Sequence, residues 1–207
     1  MMLWLGVALL LAVIPLLALD RRAANFFRYN PPSAPALAFL IKTTDAAKGG
    51  PWLLAIGGLF LATWLWSYFF GVGENAQFAN EIALALLVSL IAGSVVLHTV
   101  KLFLGRRRPR DDFEHGLYGF VFFKWHLQHN SFPSGHALTI FCVATWASAL
   151  LPSFTPLWFA IATYFGMTRA FLAVHFLSDV TVGAAIGIIA TRETMVLLFP
   201  QFPPPWY

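Results

Sequence analysis

Of the chain's 207 residues, 59% are apolar, 16% aromatic and only 11% charged, where a soluble domain carries roughly 45–50% apolar and about 25% charged residues. A 23.0 kDa sphere has too much surface to hide that excess from water, and the same figures exclude a disordered or collagen-like chain. The formal net charge of +4 also excludes a free nucleic-acid-binding domain, and the single cysteine, Cys142, excludes an intramolecular disulfide framework and any multi-cysteine metal site.

Six apolar stretches follow in chain order, as in an integral membrane protein. Leu3–Leu19 has neither a basic flank before it nor a small-residue cleavage site after it, so it is expected to be a retained helix rather than a signal peptide. The long segment Asp20–Gly50 mixes Arg21, Arg22, Arg28, Lys42 and Lys48 with Phe26, Phe27 and the run Ala36–Ile41. That mixture predicts an interfacial segment, with apolar side chains in the headgroup zone and basic ones against lipid phosphates. Pro51–Phe70 and Ile82–Val100 are the second and third stretches, joined by the hairpin GVGENAQFANE. A second long polar segment, Lys101–Pro133, leads to the fourth stretch, His136–Leu151. The short link PSFTP leads to the fifth, Pro156–Val174. Val180–Ala190 is the sixth, expected to extend at both ends, and the tail QFPPPWY carries aromatics suited to a membrane interface. The runs are continuous rather than alternating, which argues against a barrel. The expectation is an all-α, polytopic membrane protein with six transmembrane helices in a single domain spanning residues 1–207. No internal repeat or low-complexity tract interrupts it.

Three polar clusters carry chemistry. The third stretch runs into Lys101 and then Gly105-Arg106-Arg107-Arg108-Pro109-Arg110. Such a cluster anchors a helix end, or binds an anion, since guanidinium forks match phosphate oxygens. Arg106, Arg107 and Arg110 read either as ligands of a second phosphate or, the simpler reading, as rim charges balanced by Asp111, Asp112 and Glu114. Ser131-Phe132-Pro133-Ser134-Gly135-His136 opens the fourth stretch, suiting a helix cap and also a phosphate cradle of backbone N–H groups. Thr168-Arg169, then His175-Phe176-Leu177-Ser178-Asp179, lie between apolar runs, where ionisable residues are expensive and point to function. If that segment is helical, His175 and Asp179 stand at i and i+4 on one face. The carboxylate then fixes the imidazole tautomer and leaves the other nitrogen free to attack. The pair could also be two metal ligands, but no third and fourth ligand follow at helical spacing.

Six crossings bring the three clusters to one membrane face. Together they supply cations, a helix N-terminus and two histidines, one with a carboxylate beside it, which is the inventory for phosphoryl transfer through a covalent histidine intermediate.

These residues resemble the type 2 phosphatidic acid phosphatase family. The matching positions are Lys101 with Arg108-Pro109, then Pro133-Ser134-Gly135-His136, then Arg169 with His175 and Asp179. The motifs span Lys101–Asp179, and the six-helix layout extends the likeness over most of the chain. One departure is Thr168, where the family usually has serine; the hydroxyl is kept. The resemblance implies that His175 is the nucleophile, that Asp179 orients it, and that His136 is the acid for the leaving oxygen and then the base for water. It implies that Lys101, Arg108 and Arg169 hold phosphoryl oxygens, helped by Ser134 and the Gly135 N–H. No metal and no cofactor is expected, because fixed cations aimed at the developing charge supply that stabilisation.

The family also includes soluble vanadium haloperoxidases, which six apolar stretches disfavour here. In the membrane branch the expected partners are membrane lipids and a lipid phosphate substrate: phosphatidic acid, phosphatidylglycerol phosphate, undecaprenyl diphosphate or a lipid A phosphate. The residues do not choose among these, nor do they set an oligomeric state. The alternative is a catalytically idle relative that binds or moves anionic lipid; its mark would be loss of the nucleophile, acid or orienter, and all three are present.

The two orientation signals disagree. Every Lys and Arg except Arg192 lies on the connections after the first, third and fifth stretches, which by the positive-inside rule would place that face in the cytoplasm. The resemblance implies a bacterial inner membrane with the site on the periplasmic or extracytoplasmic face, and that is the expectation adopted.

Overall fold

A computed structural model describes residues 2–71, 73–123 and 130–200. The aromatic tail QFPPPWY and Lys124 lie outside the described residues. Within them the protein is all-α: α1 (Met2–Tyr29), α2 (Ala34–Thr44), α3 (Gly49–Phe70), α4 (Glu74–Phe103), α5 (Pro109–His115), α6 (Gly135–Leu150), α7 (Thr155–Phe171) and α8 (Leu177–Leu198). Among the described residues β-structure is limited to isolated bridges from Arg106 to Phe120 and Asn130.

Four helices, α1, α3, α4 and α8, are long and apolar enough to cross a membrane. The expected fourth and fifth spans are shorter, at 16 residues for α6 and 17 for α7. At 1.5 Å per residue they reach only about 24 and 26 Å, so six full-length spans are not found. The long helices also overrun their apolar stretches. α1 continues ten residues past Leu19 as polar helix, and α4 begins at Glu74, inside the expected hairpin. Polarity marks where a helix leaves the hydrocarbon, not where its backbone hydrogen bonds stop.

The helix α8 is the centre of the bundle and packs against α1, α6, α4 and α7. Small residues allow it. A Cβ on Gly183 would lie 2.3 Å from the Ser134 carbonyl oxygen, and one on Gly187 would lie 2.6 Å from that of Leu138. Two glycines four apart thus let α8 and α6 touch backbone to backbone, as small residues do between helices in lipid. Because Ser134 caps α6, this close approach also sets the position of a predicted site residue. The core beside it is apolar: Phe141, Ala144, Ala184 and Ile188 in one cluster, Leu90, Leu97, Leu138 and Cys142 in another. By contrast α3 buries only Ile56 and leaves Leu54, Trp66, Tyr68 and Phe69 exposed. Such a face would aggregate in water and suits lipid.

The Asp20–Gly50 segment only partly follows its interfacial reading. Phe39 and Ile41 of α2 are exposed, but the end of the helix is tied to α7 by Thr43 to Tyr164 (3.0 Å) and Thr44 to Thr168 (2.8 Å). Arg21 does not wait for a lipid phosphate: it donates two hydrogen bonds, of 2.9 and 2.7 Å, to Asp112.

Candidate active site

The three clusters meet at one end of the bundle. Lys101 is in the last turn of α4, Arg108 caps α5, Ser134 caps α6, and Gly135 and His136 open that helix. Arg169 is in the last turn of α7, and Asp179 in the first turn of α8.

His175 lies on neither helix, which corrects the reading of an i,i+4 helical pair. The helix α7 ends at Phe171 rather than continuing to Val174. Its end is a Schellman turn: Val174 N–H donates to the Arg169 carbonyl (3.0 Å) and Ala173 N–H to that of Ala170 (2.9 Å). Ala173 takes the left-handed position, with φ 52°, where glycine is usual and a Cβ costs roughly 1–2 kcal/mol. The turn folds the chain back so that His175 N–H also reaches the Arg169 carbonyl, at 3.1 Å. The next helix then starts because Asp179 caps it, Oδ2 accepting from Phe176 N–H at 2.9 Å. His175 Nδ1 is 3.6 Å from the same oxygen. Histidine and carboxylate therefore meet across a helix start.

The carboxylate of Asp179 is fully buried and held on all sides. Ser131 Oγ donates to Oδ2 (2.6 Å) and Arg106 Nη1 to Oδ1 (2.5 Å). Ser134 N–H donates to the Asp179 carbonyl at 2.9 Å, joining the α6 cap to the α8 cap. Burial pulls the His175 pKa below its ordinary value; Asp179 opposes this, while the Arg169 and Lys101 charges reinforce it. The imidazole is thereby neutral, as a nucleophile must be, further into the acid range than a free histidine.

The cations surround the same point. Arg108 is near enough to Lys101 and to Arg169 to repel both, and His136 feels the charge of Arg169. Like charges converge this way where an anion is to be held. Lys101 Nζ donates to the backbone (3.0 Å) and side-chain (2.5 Å) oxygens of Asn130, and Arg169 Nη1 donates to Thr44 Oγ1 at 3.3 Å. Ser134 Oγ, His136 Nε2, Arg169 Nε and His175 Nδ1, with Arg106 Nε behind them, are among the buried polar atoms that have no hydrogen-bond partner among the described residues. A buried polar atom left unpaired costs on the order of 1–3 kcal/mol, so such a group at one site marks where a polar ligand belongs.

The structure thus joins all eight expected residues: Lys101, Arg108, Ser134, Gly135, His136, Arg169, His175 and Asp179. It also overturns the reading of Arg106 as a solvated rim charge. Arg106 is fully buried and forms ion pairs with Asp20 (2.8 Å) and Asp179 (2.5 Å). Its expected counter-ions act elsewhere: Asp112 holds Arg21, Glu114 faces Arg110 at 3.8 Å, and Asp111 caps α5. Ser131 and Ser178 stand in the quoted clusters but received no role, and Asp20, Thr44 and Asn130 were missed; of these three only Asp20 carried a signal, an acid directly after an apolar run.

The described residues form an all-α bundle of apolar helices with cationic and histidine side chains clustered at one end, and comparison with known proteins places the chain. The PAP2 superfamily profile matches residues 82–203, and the chain belongs to that superfamily. Proteins named lipid A 1-phosphatase, from Rhizobium johnstonii and Rhizobium etli, are each 29% identical over 138 residues. The match covers 64% of this chain and 57% and 60% of theirs, so the chain spans under two thirds of the length of these curated relatives. Two crystal structures share the fold. LpxE of Aquifex aeolicus aligns with TM-score 0.58 and 24% identity over 83% of this chain and 93% of its own. A transmembrane PAP2-type phosphatidylglycerolphosphate phosphatase from Bacillus subtilis aligns with TM-score 0.60 and 18% identity, over 98% of each chain.

Proposed function

We propose that this chain is a metal-independent membrane lipid phosphatase that works through a phosphohistidine. The carrying observation is the group of unpaired buried atoms on Ser134, His136 and Arg169 beside neutral His175. A phosphoryl group would satisfy them. His175 Nδ1 faces Asp179, which leaves Nε2 to attack phosphorus. The N–P bond forms as the P–O bond to the lipid breaks, and His136 protonates the departing oxygen. Water then gives its proton to His136 and attacks phosphorus; the N–P bond breaks and inorganic phosphate leaves. Lys101, Arg108, Arg169 and the Gly135 N–H hold the oxygens on which charge accumulates. Phosphate release from a short-chain lipid phosphate in detergent is expected to persist in EDTA and to be abolished by vanadate, which takes the five-coordinate geometry at His175. Loss of turnover on chelation, restored by a divalent ion, would overturn the cation-clamp mechanism.

The substrate we favour is the 1-phosphate of lipid A, on the names of the two curated relatives. A panel of lipid A, phosphatidic acid, phosphatidylglycerol phosphate and undecaprenyl diphosphate tests this by kcat/KM. Residues 1–207 act as one domain in this account, with α6 and α7 as shorter fourth and fifth crossings inside the bundle.

The site faces away from the cytoplasm. Lys101, Arg106, Arg108 and Arg169 are taken up by the site or its buried supports, which removes four charges from the count that argued otherwise. In a Cys142→Ser background, His115→Cys at the end of α5 and Asn75→Cys at the start of α4 are each exposed. A membrane-impermeant thiol reagent on cells with a permeabilised outer membrane is expected to label His115→Cys and to spare Asn75→Cys until lysis. The reverse pattern would place the site in the cytoplasm.

A further inference from the structure

Arg106 is a junction between three parts of the chain. Nη2 donates to Asp20 Oδ2 of α1 at 2.8 Å, and Nη1 donates to Ser178 Oγ at 2.7 Å and to Asp179 Oδ1 at 2.5 Å, both on α8. Asp20 grips the start of α8 a second time, through Ser178 N–H (3.0 Å) and the Ser178 hydroxyl. The guanidinium also lies 4.3 Å from the Phe176 ring centroid and 4.9 Å from that of Phe120. Its backbone is fixed as well: Ser131 N–H donates to the Arg106 carbonyl at 3.1 Å, and Arg107 N–H to that of Gly119 at 3.2 Å. Asp20, Arg106, Ser178 and Asp179 are all fully buried. Asp20 lies far outside the segment that matches the superfamily.

We infer that Asp20 and Arg106 are positioning residues for the proposed reaction: they aim the Asp179 carboxylate at His175, and together the three leave one negative charge facing the imidazole. The inference rests on the phosphohistidine reading. One arginine shared by two buried carboxylates cannot neutralise both. With Asp179 alone, Arg106 would form a neutral pair whose field at His175 largely cancels. With Asp20 drawing on the same guanidinium, the cluster carries net −1. Attack on phosphorus makes the imidazole cationic, so this residual charge is felt more in the transition state than before it, and only such differential interactions accelerate the step. Burial keeps the effect from being screened. Breaking a buried ion pair is costly and replacing one by apolar residues is often neutral or stabilising, so stability alone gives weak reason for this arrangement.

The groups around His175 make the sign testable. Asp179 faces it from α8, Lys101 from α4, Arg169 from α7 and His136 from α6, with the Asp20–Arg106 pair behind Asp179. Asp20→Asn removes a negative charge from this set. The imidazolium becomes less favourable, so the acid limb of kcat/KM is expected to move to lower pH, while plateau kcat falls about tenfold and KM changes little. Arg106→Gln removes a positive charge, so the acid limb is expected to move to higher pH. In an Asp179→Asn background, where the carboxylate they act through is gone, Asp20→Asn is expected to add almost no further loss of kcat.

The experiment is a pH profile of p-nitrophenyl phosphate hydrolysis for each purified variant, with gel filtration reporting the folded fraction and labelling of the wild type, quenched in alkaline denaturant, as control. Opposite shifts of the acid limb support the inference, and if one variant does not fold, the direction of the other decides. Unmoved acid limbs, shifts in the same direction, or a full Asp20→Asn effect without Asp179 would reduce the cluster to a structural clasp and overturn it. A wild type that releases phosphate without labelling His175 would instead overturn the phosphohistidine reading.

Discussion

Replacing His175 with alanine is expected to lower phosphate release by on the order of 10⁴-fold or more, with substrate binding largely retained. In the proposed mechanism the imidazole is the nucleophile among the cations that would hold the phosphoryl group, and residues that act as a unit in covalent catalysis give losses of this size singly. The side chain is buried at 5% exposure, so truncation also opens a space and deletes a packing contact. That cost is separable: a folded, vanadate-insensitive His175→Ala protein shows lost chemistry, an aggregated one lost stability. Near wild-type kcat in a folded His175→Ala protein would show that the nucleophile lies elsewhere.

His136→Ala is expected to produce the second-largest effect, and one that depends on the substrate. A lipid alkoxide or sugar oxygen leaves poorly without a proton, so loss of the general acid should cost on the order of 10²–10⁴-fold on a lipid phosphate. p-Nitrophenolate leaves unaided, so the first step with p-nitrophenyl phosphate is expected to be much less affected. Because the proposed mechanism also makes His136 the base for the water step, the variant should accumulate phosphoenzyme from the activated substrate and show a burst of p-nitrophenol. Equal losses on both substrates without a burst would assign the proton transfer to another group. Wild-type kcat/KM should fall at acid pH as His175 gains a proton and ceases to be a nucleophile.

The depth to which the sequence discloses this site differs from residue to residue, for physical reasons. Lys101, Arg108, Ser134, Gly135, His136, Arg169, His175 and Asp179 are legible because local spacing and the parity of the apolar runs place them at one end. Arg106 was misread because its partners are distant: Asp20 is 86 residues away and Asp179 is 73. An arginine among arginines looks like a rim charge until the fold supplies two buried acids. Asp20 was hidden in the same way, as the first residue of an apparent connection that is a continuation of α1. The end of α7 escaped notice because Ala173, not glycine, takes the left-handed position of its closing turn. Tertiary contacts overrode a local preference there, and the result set His175 outside any helix. The close contact of α8 with α6 was visible as two glycines in an apolar run, but nothing local says which helix approaches them.

The central claim is that the phosphoryl group passes through His175. The most direct measurement is to quench turnover of a ³²P-labelled lipid phosphate in alkaline denaturant, where N-linked phosphate survives, digest the protein at alkaline pH and locate the label by mass spectrometry. The account predicts N-linked phosphate on the peptide containing His175, absent in His175→Ala and increased in His136→Ala with an activated substrate. Rapid phosphate release with no labelled enzyme, or label on a residue other than His175, would contradict it.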